Sequence, residues 1–372
     1  METNPLIQIQ KFGQSIWLDF ISRGMLDSGE LKVMIENDGL KGVTSNPAIF
    51  EKAIDNSHDY DNAVRKLSEE GKSIEHIYET LTVEDVQHAA DLFRTIYNQT
   101  NFHDGYVSLE VNPHLANDTK GTIDEARKLW SKVNRPNILI KVPATLGGLP
   151  AIRQLISEGI NVNVTLLFGL PRYRQVAEAY IAGLETRLTQ GKSIKNIASV
   201  ASFFLSRIDS LVDPMVEKFN KTADKYEEIS KRVHGQVAIS SAKSAYQIYQ
   251  EIFGGSRFKK LADKGALVQR LLWASTSTKN PDYDDIKYIE PLIGRDTVNT
   301  VPLEAIKAYL NHGNPKLSLE QDISEALWVM EHLPELGINI DNVTQQLEDE
   351  GVEKFCKPFD KLMKTLGSVN LQ

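Results

Sequence analysis

Eight short β-rich runs, each followed by a stretch with helical periodicity, constrain this chain more than any other feature of its sequence. They fall at 15–20 (SIWLDF), 42–46 (GVTSN), 106–111 (YVSLEV), 138–144 (ILIKVPA) and 160–168 (INVNVTLLF). Three more follow at 195–204 (KNIASVASFF), 266–275 (ALVQRLLWAS) and 296–302 (DTVNTVP). Several are near-continuous apolar runs, as expected of parallel strands buried on both faces. The alternation admits a closed (β/α)8 barrel or an open doubly wound sheet. The count of eight favours the barrel, and so does the absence of GxGxxG after the first run.

The segments between the runs carry helix punctuation. Ser28 is placed to cap a helix bearing Leu31, Met34 and Ile35, and Thr122 with Glu125 reads as a capping box ahead of Ala126 and Leu129. Residues 171–190 open on proline and stop before Gly191, the asymmetry expected of a helix. Two long crossovers, 47–105 and 205–265, have helical periodicity of their own, and 303–372 reads as a helical extension with a charged helix around 341–365. No repeat, low-complexity stretch or Pro/Gly/Ser linker divides the 372 residues, so the expectation is one barrel domain over 1–372 with its extension at 303–372.

A formal net charge of −8 and a pI near 5.6 leave no basic face to track phosphodiesters, which argues against a nucleic-acid partner. The single cysteine, Cys356, precludes an internal disulfide and suits a reducing compartment. No run approaches the length of a membrane span, and the first residues lack the features of a signal peptide. The expected location is the cytoplasm, with no membrane partner.

The polar residues are what make the strands informative. Asp19, Asn46 and Glu110 lie near the ends of the first three, Lys141 interrupts the apolar run ILIKVPA, and Asn163 and Thr165 fall on the fifth. Residues i and i+2 of a strand share a face, so Thr44 with Asn46, and Asn163 with Thr165, can face one lumen. Polar groups inside a barrel carry a desolvation cost unless they are hydrogen-bonded or functional, and at the C-terminal rim they read as catalytic. Apolar surroundings disfavour an ammonium ion and free the Lys141 amine to attack a carbonyl. The bland alternative is a snorkelling lysine, or one paired with a carboxylate such as Glu110. Asp19 and Glu110 could carry the protons that imine chemistry must move, although Asp19 alone could equally cap a turn. Arg207 after the sixth strand, and Lys279 in the hydroxyl-rich loop WASTSTKNP, could bind phosphate; each alone would pass for a surface cation. The histidines show no metal-ligand spacing such as HExxH, so no metal is expected, and Gly147–Gly148 does not make a phosphate-binding P-loop.

GVTSNPAIF (42–50), SLEV (108–111), ILIKVPATLGGLPAIRQL (138–155) and INVNVTLLF (160–168) together resemble the strand motifs of the transaldolase family. WASTSTKNPDY and DTVNTVP are similar to its longer bacterial, cyanobacterial and plant-like branch. The resemblance implies a transferase that needs no cofactor and acts on phosphorylated sugars. In it Lys141 forms a Schiff base, Asp19 works on the donor hydroxyl, and Glu110 acts through a water held with Thr165. It further implies that Asn46 and Asn163 hold a dihydroxyacetone unit, with Ser202 and Phe204 lining its pocket. Phosphate would fall to Arg207, assisted by Ser275 and Lys279. Much of the family has an arginine in the strand 7 loop, whereas the nearest cation in this longer loop is Lys279, and lysine lacks arginine's fork. A Schiff-base aldolase releasing free dihydroxyacetone is the nearest alternative; such aldolases tend to carry tyrosine where Phe204 stands. A non-catalytic sugar-phosphate-binding barrel is the third. The sequence leaves open monomer or homodimer, and whether the helical tail covers the barrel or forms a dimer contact.

Overall fold

Runs rich in Val, Ile, Leu and Phe form eight parallel strands that close into a barrel in the order β1 to β8, with β8 pairing back on β1. The computed structural model describes residues 4–219 and 225–369; the first residues of the N-terminal stretch, part of the second long crossover and the last three residues of the tail lie outside these. The first half of the chain runs α1 (Pro5–Lys11), β1 (Gln14–Leu18), α2 (Arg23–Asp27), α3 (Glu30–Asn37) and β2 (Gly42–Val43). It continues with α4 (Pro47–Asp55), α5 (Asp61–Glu69), α6 (Ile74–Gln99), β3 (Tyr106–Glu110), α7 (Thr119–Val133) and β4 (Ile138–Pro143). Next come α8 (Gly148–Glu158), β5 (Val162–Leu167), α9 (Leu170–Thr189), β6 (Ser199–Phe204) and α10 (Ser206–Val216). After these follow α11 (Lys225–Val233), α12 (Val237–Phe253), α13 (Ser256–Ala262), β7 (Arg270–Ala274) and β8 (Thr297–Val301). The tail holds α14 (Leu303–His312), α15 (Ile323–His332) and α16 (Ile340–Val369).

All eight expected strands are present, but shorter than their apolar runs. Asn46 is the clearest case: it lies beyond β2 and is the N-cap of α4, its Oδ1 accepting from Ile49 N at 3.0 Å. Two caps differ from expectation. Ser28 ends α2 while α3 starts from Gly29, whose positive φ lets the chain reverse between the two helices. Helix α7 begins a turn before Thr122, where Asp118 Oδ1 accepts from Gly121 N at 3.0 Å. Thr122 then bonds Leu115 O, and the Glu125 carboxylate accepts from Asn112 N. The local pattern signalled a helix start correctly; the aspartate two residues after Ala116 won because it is the better-placed acceptor.

The lumen is packed with side chains rather than left as a pore. Trp17 on β1 is fully buried and lies beside Tyr106 on β3, ring centroids 6.3 Å apart. Gly42 on the strand between them supplies the space: a Cβ there would meet the Trp17 ring and Tyr106 O at 2.7 Å. Below Trp17 the N-terminal end is closed by Arg270, which bonds Ser15 Oγ at 2.9 Å and Asp104 Oδ1 at 3.0 Å. Polar residues at that end serve stability, leaving the opposite rim for chemistry.

Helix α16 is the part of the tail that reaches the mouth of the barrel. It lies over the C-terminal rim, packing on α4, α6, α10 and the end of β5. Among the described residues no helix is long and apolar enough to cross a membrane.

Candidate active site

The C-terminal ends of the strands open into a cavity of about 480 Å³. A larger one, about 690 Å³, lies outside the barrel between α12, α15 and the β7–β8 connection, and none of the strand-end polar residues reaches it. The smaller cavity is therefore the one where chemical groups converge. Asp19, Asn46, Lys141, Ser202, Phe204, Arg207, Ser275 and Lys279 all line it. Glu110, Asn163 and Thr165 are not on its wall, although the first two lie beside Lys141, which is.

Strand register explains this grouping. Glu110 pairs with Lys141 across β3–β4, and Lys141 with Asn163 across β4–β5, so the three form one row around the lumen. Lys141, 4% exposed, donates from Nζ to Ser45 O at 3.1 Å and lies 3.4 Å from Glu110 Oε2. The lysine–carboxylate pair raised as the bland alternative therefore exists, but at 3.4 Å it is too long for a good charge-assisted hydrogen bond. Both Glu110 carboxylate oxygens are left without a hydrogen-bond partner among the described residues. Burial raises the Glu110 carboxyl to about 7, against the pull of Lys141, and nearby Asp19 adds to the rise. Asp19 is raised too, chiefly by desolvation, opposed by Lys141 and by the 2.7 Å bond that Thr44 Oγ1 donates to Asp19 Oδ1. Asp19 keeps some surface open to the cavity, yet protein surrounds its carboxylate closely enough to desolvate it.

Asn163 is fully buried and both ends of its amide are engaged: Oδ1 accepts from Ser202 Oγ at 2.7 Å and Nδ2 donates to Ser108 Oγ at 3.0 Å. It adjoins Lys141 but does not line the cavity. Thr165 Oγ1 is buried and has no hydrogen-bond partner among the described residues. The next residue, Leu166, has a φ of 55° where the β5–β6 register shifts. Such a conformation in a branched residue costs about 1–3 kcal/mol and is typical of functional rims. Asn46 spends its amide oxygen capping α4, which leaves Nδ2 for the cavity.

On the other side lie the cations. Arg207, in the first turn of α10, and Lys279 form no ion pair with another described residue. Burial lowers the pKa of both, and Arg207 lowers that of Lys279 further. Lys279 Nζ donates to Ser277 Oγ at 2.7 Å. Ser275, at a φ of 55°, places its Oγ 2.9 Å from Ser206 Oγ. The β7–β8 connection is fastened to α10 by Tyr283, which donates to Asp213 Oδ2 at 2.6 Å, and by Tyr288, which donates to Asp209 Oδ2 at 2.8 Å. These bonds hold Lys279 and Arg207 at one corner.

The sequence reading missed Lys52, Ser277, Thr300, Glu304 and Phe355 on the cavity wall. Lys52 looks like any solvated lysine of an amphipathic helix, and nothing local shows that Phe355 of α16 meets the barrel.

A buried amine enclosed by strand ends, with carboxylates beside it and rim cations that pair with no acidic group among the described residues, suits covalent chemistry on an anionic carbonyl compound. That places the molecule among the (β/α)8-barrel enzymes. The model of the Transaldolase/Fructose-6-phosphate aldolase family matches residues 16–366, and the chain belongs to that family. It is 50% identical to "Transaldolase 2" of Nostoc punctiforme, over 98% of this chain and 97% of that one. To "Transaldolase" of Trichodesmium erythraeum it is 49% identical, over 98% and 97% of the two chains. To "Transaldolase" of Mycobacterium leprae the identity is 42%, over 97% and 96%. Its function is accordingly that of a transaldolase, an enzyme of the transferase class.

Proposed function

We propose that Lys141 carries the reaction as a Schiff base, moving a dihydroxyacetone unit from sedoheptulose 7-phosphate to glyceraldehyde 3-phosphate and giving erythrose 4-phosphate and fructose 6-phosphate. The observation that carries this reading is Lys141 Nζ at the cavity wall, 3.4 Å from Glu110, with Asp19 on the same rim. The amine adds to the ketose carbonyl, and the carbinolamine loses water to give an iminium ion. Asp19 takes the proton of the C4 hydroxyl as the C3–C4 bond breaks; the electron pair passes into the iminium and leaves a bound enamine. The enamine carbon then attacks the acceptor aldehyde, Asp19 returns the proton, and hydrolysis frees the product. The imine is the electron sink, so the reading calls on neither a cofactor nor a metal.

Glu110 is suited to receive the proton that Lys141 must lose, since a carboxyl near 7 both takes up and gives protons at neutral pH. In this scheme it works through a water shared with Thr165, whose unpartnered Oγ1 and the Glu110 oxygens are the fitting hydrogen-bond partners. Asn46 holds the three-carbon unit directly, Asn163 does so through its row with Lys141 and Ser202, and Phe204 lines the pocket. Arg207 binds phosphate, with Ser275 and Lys279 assisting. We place the enzyme in the cytoplasm, in the pentose phosphate pathway, as one barrel domain with a helical extension at 303–372 whose α16 lies over the rim, working as a monomer or homodimer.

Borohydride reduction in the presence of fructose 6-phosphate, followed by peptide mass analysis, is expected to find a three-carbon adduct on Lys141. Lys141→Arg should keep the fold and lose the adduct, because arginine supplies no neutral amine. An adduct elsewhere, or none, would overturn the scheme. Rapid release of free dihydroxyacetone when the acceptor is omitted would instead favour the aldolase reading.

A further inference from the structure

Phe355 is the one residue of α16 on the cavity wall, and its ring centroid lies 5.7 Å from Lys141 Nζ. It comes from neither a strand nor a βα loop, and it is 5% exposed. Its place is fixed from both sides along the helix. One turn earlier, Gly351 lets α16 approach the end of β5, where a Cβ would stand 3.0 Å from Leu166 Cδ2. Before that, Glu348 Oε2 accepts from Arg172 Nε at 3.1 Å, with both side chains largely buried. One turn later, Phe359 meets Tyr78 edge-on, ring centroids 5.4 Å apart. Beyond it, Lys361 pairs with Asp55 at 2.8 Å and with Glu51 on α4. These spacings put Glu348, Gly351, Phe355 and Phe359 on one helix face, which spans the rim from α9 to α4.

A transferase of this kind has a specific need at that spot. Between donor cleavage and acceptor arrival the three-carbon unit stays on the lysine. Its wasteful exit begins when the enamine takes a proton at carbon and returns to the iminium. A water then adds at the iminium carbon and the C–N bond breaks, leaving free dihydroxyacetone and the Lys141 amine. Excluding bulk water from the iminium slows that exit. An aromatic ring also offers its negative face to a cation within about 6 Å, which favours the iminium over the adduct with water.

We propose that Phe355 is a specificity-determining residue, roofing Lys141 so that the bound three-carbon unit leaves by transfer to an aldehyde rather than by hydrolysis. This rests on the Schiff-base reading above.

The test compares two rates in the full-length enzyme with fructose 6-phosphate as donor: dihydroxyacetone release without acceptor, and transfer to erythrose 4-phosphate. In Phe355→Ala the ratio of release to transfer should rise roughly ten-fold, a ~1.4 kcal/mol change in relative barriers. Phe355→Leu, which keeps an apolar roof, should restore most of the parent ratio and serves as the reference if the alanine variant fails to fold; Phe355→Gln, polar and of similar length, should then show the rise. Borohydride trapping on Lys141 is run on every protein. An unchanged ratio in variants that still trap would overturn the role of Phe355 and leave the Schiff base standing. Loss of trapping in the parent would overturn the Schiff base itself.

Discussion

Glu110 sits against Lys141 with neither carboxylate oxygen hydrogen-bonded to another described residue, and its carboxyl is raised by burial from the ordinary 4.5 to about 7. Between those two values the folded protein holds a proton that the unfolded chain releases, so stability falls as pH rises from 4.5 to 7 and levels off above. Glu110→Gln removes this dependence. Urea denaturation of both proteins should show the parent losing about 1–3 kcal/mol relative to the variant between pH 4.5 and pH 8; a constant difference would contradict the buried, raised carboxyl. Turnover of the variant should drop by about 10²-fold or more if Glu110 moves protons. At this scale the sequence was readable where a polar residue broke an apolar strand, as Lys141, Glu110 and Asn163 do. It was unreadable where a residue's role depends on a partner far along the chain, as with Phe355 and Lys52.

Strand β2 is two residues long, and its neighbours meet across Gly42. A methyl group there would collide with the Trp17 ring and with Tyr106 O, both at 2.7 Å, and neither a buried indole nor a strand backbone can step aside cheaply. Gly42→Ala should therefore destabilise the protein by about 1–3 kcal/mol in chemical denaturation, and by more if Trp17 leaves the lumen. Near-parent stability would mean that the barrel interior is loosely packed around Trp17. The existence and type of the elements followed from apolar runs and 3.6-residue periodicity. Their ends did not, because ladder pairing and capping decide them: Asn46 was taken for a strand end and caps a helix, while Asp118 displaced Thr122 as a cap.

The whole molecule is acidic, with a net charge of −8, yet the rim gathers Lys52, Arg207 and Lys279, none of them ion-paired with another described residue. If these cations receive the phosphate of the substrate, salt screens their attraction for it. Raising monovalent salt from about 20 to about 200 mM should raise KM for phosphorylated substrates roughly three-fold with little change in kcat. Unphosphorylated glyceraldehyde as acceptor should show no such rise, and equal effects on both would argue against phosphate capture at this corner.

The order of strands and helices, the barrel they form and the lysine in the fourth strand were determined by the sequence itself. Hydrophobic periodicity is local, and a charge inside an apolar strand is conspicuous without its neighbours. Only the tertiary structure decided that α16 crosses the rim and hangs Phe355 above Lys141, that Asn163 spends its amide on Ser108 and Ser202, and that Trp17 fills the room left by Gly42. Each joins residues distant in the chain through packing and hydrogen-bond geometry, and those exist only once the barrel has closed.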